Sequence, residues 1–276
     1  MNRLSLQDRA RILSCLVEGN SLRATTRMCD VSINTVTKLL VDVGTACDLY
    51  QNEKLRNLKC KRLQLDEIWS FCYAKQKNVP PWKEGVLGFG DVYTWTAIDA
   101  DTKLVPAWLV GQRTAFYAKQ FVEDLSGRLT GRSQVTTDGL KLYLKPIEDA
   151  FGANVDYAML VKLYGEPKGE GSERRYSSGH CCGAIKGAVS GDPDEAHIST
   201  SFVERQNLTM RMSMRRFTRL TNGFSKKVQN HACAVALHYM HYNFGRIHKS
   251  LRVTPAMEAG ISDHVWTLEE IAKLAD

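Results

Sequence analysis

Apolar residues recur at helical spacing through the first fifty positions. Ile12, Leu13, Leu16 and Val17 follow a polar start at Ser5, Gln7 and Asp8, which predicts a capped helix that Gly19 and Asn20 end. A second helix is predicted from about Ser21 to Met28. After a turn at Cys29, Asp30 and Val31 a third starts at Ser32, with Ile33, Val36, Leu39 and Leu40 facing inward. This is helix-turn-helix grammar, and a plain three-helix bundle carries the same pattern. Asn34, Thr35, Thr37 and Lys38 on the third helix are groups that reach base edges and phosphates from a major groove, while Arg23 and Arg27 on the second could hold the backbone. A polar, basic stretch from Cys47 to Arg62 reads as a linker, so the expected division is a small all-α unit over 1–50, a linker over 51–62, and a larger domain from 63.

From Leu63 the pattern changes to short strands, predicted at Leu63 to Tyr73, Val92 to Asp99 and Leu104 to Val110, an antiparallel meander. A helix from about Ala115 to Leu129, a strand at Gln134 to Thr137, a helix at Leu140 to Phe151 and a strand at Asp156 to Leu163 then alternate. That order implies parallel strands joining the meander, an α/β domain with a mixed sheet and flanking helices. Gly165 to about Ser199 is rich in Gly, Ser, Pro and charge and reads as a long loop. Helices are predicted at Phe202 to about Arg216 and Lys226 to Tyr242.

At 276 residues and 43% hydrophobic content the chain can bury a real core. Its net charge of +7 becomes informative through its distribution: from Arg205 to Arg252 there are ten Lys or Arg (205, 211, 215, 216, 219, 226, 227, 246, 249, 252) and no acid. A solvated helix face can look like this, but an acid-free stretch so long favours phosphate contact. The eight Cys (15, 29, 47, 60, 72, 181, 182, 233) have no repeated spacing, no apolar export segment opens the sequence, and no apolar run is long enough for a bilayer. These point to a cytoplasmic protein away from membranes. His180, Cys181 and Cys182 lack the paired ligands of a zinc site.

Three acids stand out. Asp66 sits mid-strand in LQLDEIWSF, on the face opposite Leu65 and Glu67, where a charge needs a partner or a task. Asp138 follows the strand at Gln134 to Thr137, at the carboxyl end where α/β sheets gather functional groups, and also fits a helix N-cap. Glu204 lies on a helix, sharing a face with Asn207 and Arg211. Together three carboxylates meet the need of two-metal phosphodiester chemistry, which holds two hard cations about 4 Å apart to activate a water or 3′-hydroxyl and to stabilise the leaving oxygen. Two ions of Mg²⁺, or Mn²⁺, are the expected cofactor, and Arg205 and Arg211 would offset phosphate charge.

Four ordered stretches resemble the DDE superfamily of bacterial insertion-sequence transposases, in particular the IS1-like group. LDEIWSF, with the following VYTWTAIDADTKLVPAWLVGQRT, is similar to the first three strands of its catalytic domain, and TTDGLKLY to its second-Asp motif. FVERQNLTMRMSMRRFTRLTNGFSKK is similar to the helix carrying its Glu, and HYNFGRIHKSLRVTPAMEAGI to its tail. The resemblance spans about Leu63 to Ile261, leaving 262–276 as a C-terminal tail, and implies a ribonuclease-H-like catalytic domain with Asp66, Asp138 and Glu204 as catalytic metal ligands.

It further implies an enzyme that cleaves at element ends and joins the 3′ ends to target DNA, with double-stranded DNA as partner, a homodimer or larger assembly on DNA, and a bacterial nucleoid setting. Asp138 and Glu204 are 66 residues apart, longer than in compact members, so Asp192, Asp194 and Glu195 in the intervening loop are alternatives for the third acid.

Arg215, Arg216, Lys226 and Lys227 are expected on DNA, as is His248. His231 and His238 suit phosphate contact or core filling better than metal ligation. Trp69, Trp95 and Trp108 read as core residues, and Trp82 as an exposed wedge. Two rivals remain: a DNA-binding regulator with a catalytically silent second domain, and a nuclease or resolvase that cuts without joining.

Overall fold

The computed structural model describes residues 4–165, 181–218 and 222–276. Arg219 and His180 lie outside the described residues, as does the 166–180 part of the expected loop. No described helix is long and apolar enough to cross a membrane.

The chain opens with α1 (Leu6–Val17), α2 (Leu22–Cys29) and α3 (Ile33–Lys54). Each starts on a serine whose hydroxyl accepts from the backbone three residues on: Ser5 from Asp8, Ser21 from Ala24 and Ser32 from Thr35. Asp30, left-handed at φ 52°, ends α2 and sets the turn. Val36, Leu39 and Leu40 are buried as the periodicity requires, but Ile33, expected inward, is 43% exposed because it sits in the first turn, before the helix meets its neighbours. α3 also runs on to Lys54, through the first part of the segment expected as a linker. The reason is packing: Cys47, Gln51 and Leu55 continue the buried stripe, and Gln51 Nε2 donates to the Ala236 carbonyl at 3.1 Å.

Next come β1 (Arg62–Cys72), β2 (Gly90–Asp99), β3 (Ala107–Gly111), α4 (Ala115–Ser126), β4 (Ser133–Thr137), α5 (Leu144–Phe151), β5 (Val155–Tyr164) and β6 (Cys181–Ser190). One mixed sheet has the order β3-β2-β1-β4-β5-β6, with β1 antiparallel to β2, β2 to β3 and β5 to β6, and parallel pairing of β1 with β4 and β4 with β5.

Three expectations are corrected. The third strand begins at Ala107 and not Leu104, since Pro106 has no N–H for the ladder; Asn243 serves Val105 instead, accepting from its N and donating to its carbonyl, both at 3.0 Å. The helix expected from Leu140 starts at Leu144 after a 3-10 turn, with Pro146 in its first turn. The expected loop contains β6, an edge strand exposed on both faces and rich in Gly and Ala, so no alternation announced it.

The rest of the chain forms α6 (Ser201–Ser213), α7 (Val228–Met240), α8 (Pro255–Glu258) and α9 (Leu268–Lys273). α6 stops at Ser213 rather than Arg216, and α7 passes into a π turn over His241–Gly245. One apolar cluster joins Ile12, Val36 and Val43 of the amino-terminal helices to Leu65 and Trp95 of the sheet and to Tyr239 and Phe244. α3 lies so close on α7 that a Cβ on Gly44 would sit 2.4 Å from the Cys233 carbonyl oxygen. The tail at 262–276 is fixed by α9 against α1, where the buried Arg9 donates to Asp276 Oδ1 at 2.6 Å.

Candidate active site

β1 is central in the sheet, and its last residue paired to β4 is Leu65, opposite Thr137. Asp66 and Asp138 are therefore level, each one step beyond that pair, where β4 has ended. Helix α6 packs over β1 at this point, where β4 has ended. It is docked by Gln64, a 3% exposed side chain whose Oε1 accepts from the backbone N–H of Phe202 (2.8 Å) and Val203 (3.2 Å), satisfying donors that no side-chain cap on Thr200 serves. That docking brings Asn207 to Asp66, with Nδ2 donating to Oδ2 at 2.8 Å.

Carboxylate oxygens of Asp66, Glu67 and Asp138 all lie within 4.8 Å of one another. Asp66 Oδ1 accepts from the Glu67 N–H at 2.8 Å, and Asp138 Oδ1 from the Leu140 N–H at 2.9 Å. Burial pushes the Asp66 carboxyl up to about 7, helped by the charges of Glu67, Asp138 and Glu204. Burial also raises Glu67, with Asp138 adding to it. The Glu67 side chain is 2% exposed, with the Arg113 guanidinium 2.6 Å from Oε1 and the Tyr143 hydroxyl donating to Oε2 at 3.1 Å. Sequence reasoning set Glu67 on the face away from Asp66; the adjacent acids Asp66 and Glu67 in one strand were the available signal. Arg113 and Tyr143 carried none.

Glu204 stands apart from that trio. Its carboxylate is ion-paired to Lys162 of β5 and accepts from Thr200 Oγ1 at 2.7 Å. Of its rivals for the third position, Asp192 donates its N–H to Asp156 Oδ1 and Asp194 accepts from Gln134 Nε2, both at the start of β4 and β5. Gln134 is level with Arg62, four residues before Asp66, or roughly 13 Å along the strand. Asp192, Asp194 and Glu195, beside them in sequence, belong to the far end of the sheet.

The donor set suits Mg²⁺ or Mn²⁺: three carboxylates are hard oxygen ligands, and the Oδ1 of Asn207, a 9% exposed residue, accepts no hydrogen bond among the described residues. An unpaired buried acceptor costs about 1–3 kcal/mol.

The basic positions divide. A cleft of about 640 Å³ is lined by Arg23, Asn34 and Thr37 from α2 and α3, and by Arg215, Arg216, Lys226 and Lys227 from the segment between α6 and α7. Arg27, Thr35 and Lys38 do not line it. Lys38 is paired with Asp42, and Thr35 serves the Ser32 cap. Arg216 is turned partly inward, donating to Ser225 Oγ at 2.8 Å, and burial lowers it to about 10. A second concavity of about 320 Å³ gathers Lys103, Arg205, Arg246, His248 and Lys249, with no acid in its lining. Arg211 is half-buried and reaches toward the Phe217 carbonyl. His231 and His238 are core residues, burial lowering both to about 3. Trp95 is buried and Trp82 is 80% exposed.

No family model matches the sequence, and no curated protein matches it. Among solved structures, the Mos1 strand transfer complex aligns at 13% identity with a TM-score of 0.25, covering 57% of this chain and 59% of that one. The piggyBac transposase synaptic complex with hairpin DNA aligns at 12% identity with a TM-score of 0.37, covering 99% and 71%. The Mos1 mariner paired end complex with Mn aligns at 12% with a TM-score of 0.22. The chain thus spans about three fifths of the Mos1 protein. Overlaps this low establish no common fold, and the functional reading rests on the site itself.

Proposed function

We propose that this chain is a DNA transposase of the DDE type, close to the IS1-like insertion-sequence enzymes, acting in the bacterial cytoplasm on nucleoid DNA. The observation that carries the reading is the meeting of Asp66, in the middle of β1, with Asp138, just past the carboxyl end of the adjacent parallel strand β4, beneath the helix that bears Glu204. Asp66 and Asp138 are the residues to hold divalent cations, two being expected, with Glu204 as the third acid. Such ions supply activation of a water or 3′-hydroxyl and stabilisation of the leaving oxygen.

The rest is the work of this chain's side chains. Asn207 and the Glu67 N–H orient the Asp66 carboxylate, and the Leu140 N–H orients Asp138. The Arg113 guanidinium and Tyr143 hydroxyl balance Glu67, the acid nearest to them. Glu204 is held by Lys162 and Thr200, so its service as the third acid would require that ion pair to open. The two basic concavities suit phosphate backbone, the larger one linking residues of α2 and α3 to Lys226 and Lys227, and that shared wall supports residues 1–50 as the reader of element ends. Holding two ends together calls for a dimer or larger assembly on DNA.

The test is a strand-transfer assay with Mg²⁺ or Mn²⁺ and DNA bearing the element's own ends, wild type beside Asp138→Ala. Joined products that vanish in the variant establish the reaction and the site together. Cutting without joining points to a nuclease, and tight end binding without either points to the silent regulator.

A further inference from the structure

α6 carries two polar groups over the sheet, Glu204 to Lys162 of β5 and Asn207 to Asp66 of β1, and the second is the less expected. Asn207 is 9% exposed and sits one turn beyond Glu204, with its Nδ2 committed to Asp66 Oδ2 at 2.8 Å. The other end of the same planar amide, Oδ1, is buried and accepts from no donor among the described residues. Folding normally finds a partner for a buried acceptor, and the exceptions collect where a ligand completes the set. Beside it, oxygens of Asp66, Glu67 and Asp138 converge within 4.8 Å. Glu67 is already engaged by Arg113 and Tyr143, and Glu204 by Lys162 and Thr200, so the site is short of uncommitted oxygen donors.

We propose that Asn207 belongs to the metal centre, its N–H fixing Asp66 and its Oδ1 serving as a neutral oxygen ligand to the divalent cation held by Asp66 and Asp138. An amide carbonyl is a hard donor of the kind Mg²⁺ and Mn²⁺ take, and it adds a ligand without adding a fourth negative charge to a crowded site. The inference rests on the metal-site reading above and makes Asn207 part of the site rather than a DNA contact.

The experiment is calorimetric titration of the full chain with Mn²⁺ alone, with the Mn²⁺-induced rise in unfolding temperature as a second readout, for wild type, Asn207→Ala and Asn207→Asp. Asn207→Ala should bind Mn²⁺ about tenfold or more weakly. Asn207→Asp keeps an oxygen in place of Oδ1 while losing the N–H, so it should bind at least as tightly as wild type, and it decides the matter alone should the Ala variant not fold. Equal affinity in Asn207→Ala and wild type would overturn the proposal. So would equal weakening in both variants, which would leave Asn207 only a donor to Asp66. Wild type that takes up no Mn²⁺ would remove the metal-site reading itself.

Discussion

Asp66→Asn should make the metal-free protein more stable while removing its metal site. In the folded chain burial holds the Asp66 carboxyl up to about 7, against 3.8 for an exposed one. The folded state thus keeps its proton where the unfolded state has lost it, so the Asp66 contribution is fully present below about pH 4 and is lost as pH rises to about 7. A span of about three pH units at about 1.4 kcal/mol each gives a ceiling near 4 kcal/mol, and partial exposure brings the expected value to about 2. Urea unfolding at pH 5 and pH 8 in EDTA measures it: Asp66→Asn should gain on wild type by about 2 kcal/mol between the two pH values. Mn²⁺ at a hundred times its dissociation constant should then return about 2.7 kcal/mol to wild type at pH 8 and almost nothing to the variant. A variant no more stable than wild type at pH 8 in EDTA would refute the claim that Asp66 is a desolvated carboxylate awaiting a cation.

Two further outcomes follow from the side-chain geometry. Lys162→Met releases Glu204 from its ion pair, so Mn²⁺ affinity should rise several-fold if Glu204 then joins the centre; unchanged affinity in the titration would leave Glu204 outside it. Arg215→Ala should shallow the salt dependence of DNA binding by about one unit of slope, whereas Arg216→Ala, which breaks a hydrogen bond to Ser225, should chiefly lower the unfolding temperature. Equal effects of the two on the slope would show that both meet phosphate.

Residues read in the sequence and residues met in the fold differ in kind. Helix α6 shows this within one turn: Glu204 and Asn207 were placed together on one face and given to catalysis and DNA. The docking of α6 by Gln64 exposes Glu204 to Lys162 and buries Asn207 on Asp66. Strand alternation puts Glu67 on the face opposite Asp66, but alternation describes a strand between neighbours. Past Leu65 no β4 residue pairs with β1, and there the three acids meet. β6 was unreadable because both its faces are exposed, and α3 outran its expected end because its partner, α7, lies far off in sequence, Gln51 meeting Ala236 185 positions away.

What the sequence by itself determined is what local physics enforces. Short runs of strand-forming residues marked β1, β2, β4 and β5, serines marked the starts of the first three helices, and position singled out Asp66 as a charge inside a strand and Asp138 as an acid just past one. Tertiary structure alone decided which charges are neutralised and which are available. Burial, ion pairing and the crossing of α6 over β1 depend on residues far apart in the chain, and no local pattern encodes the distance between them.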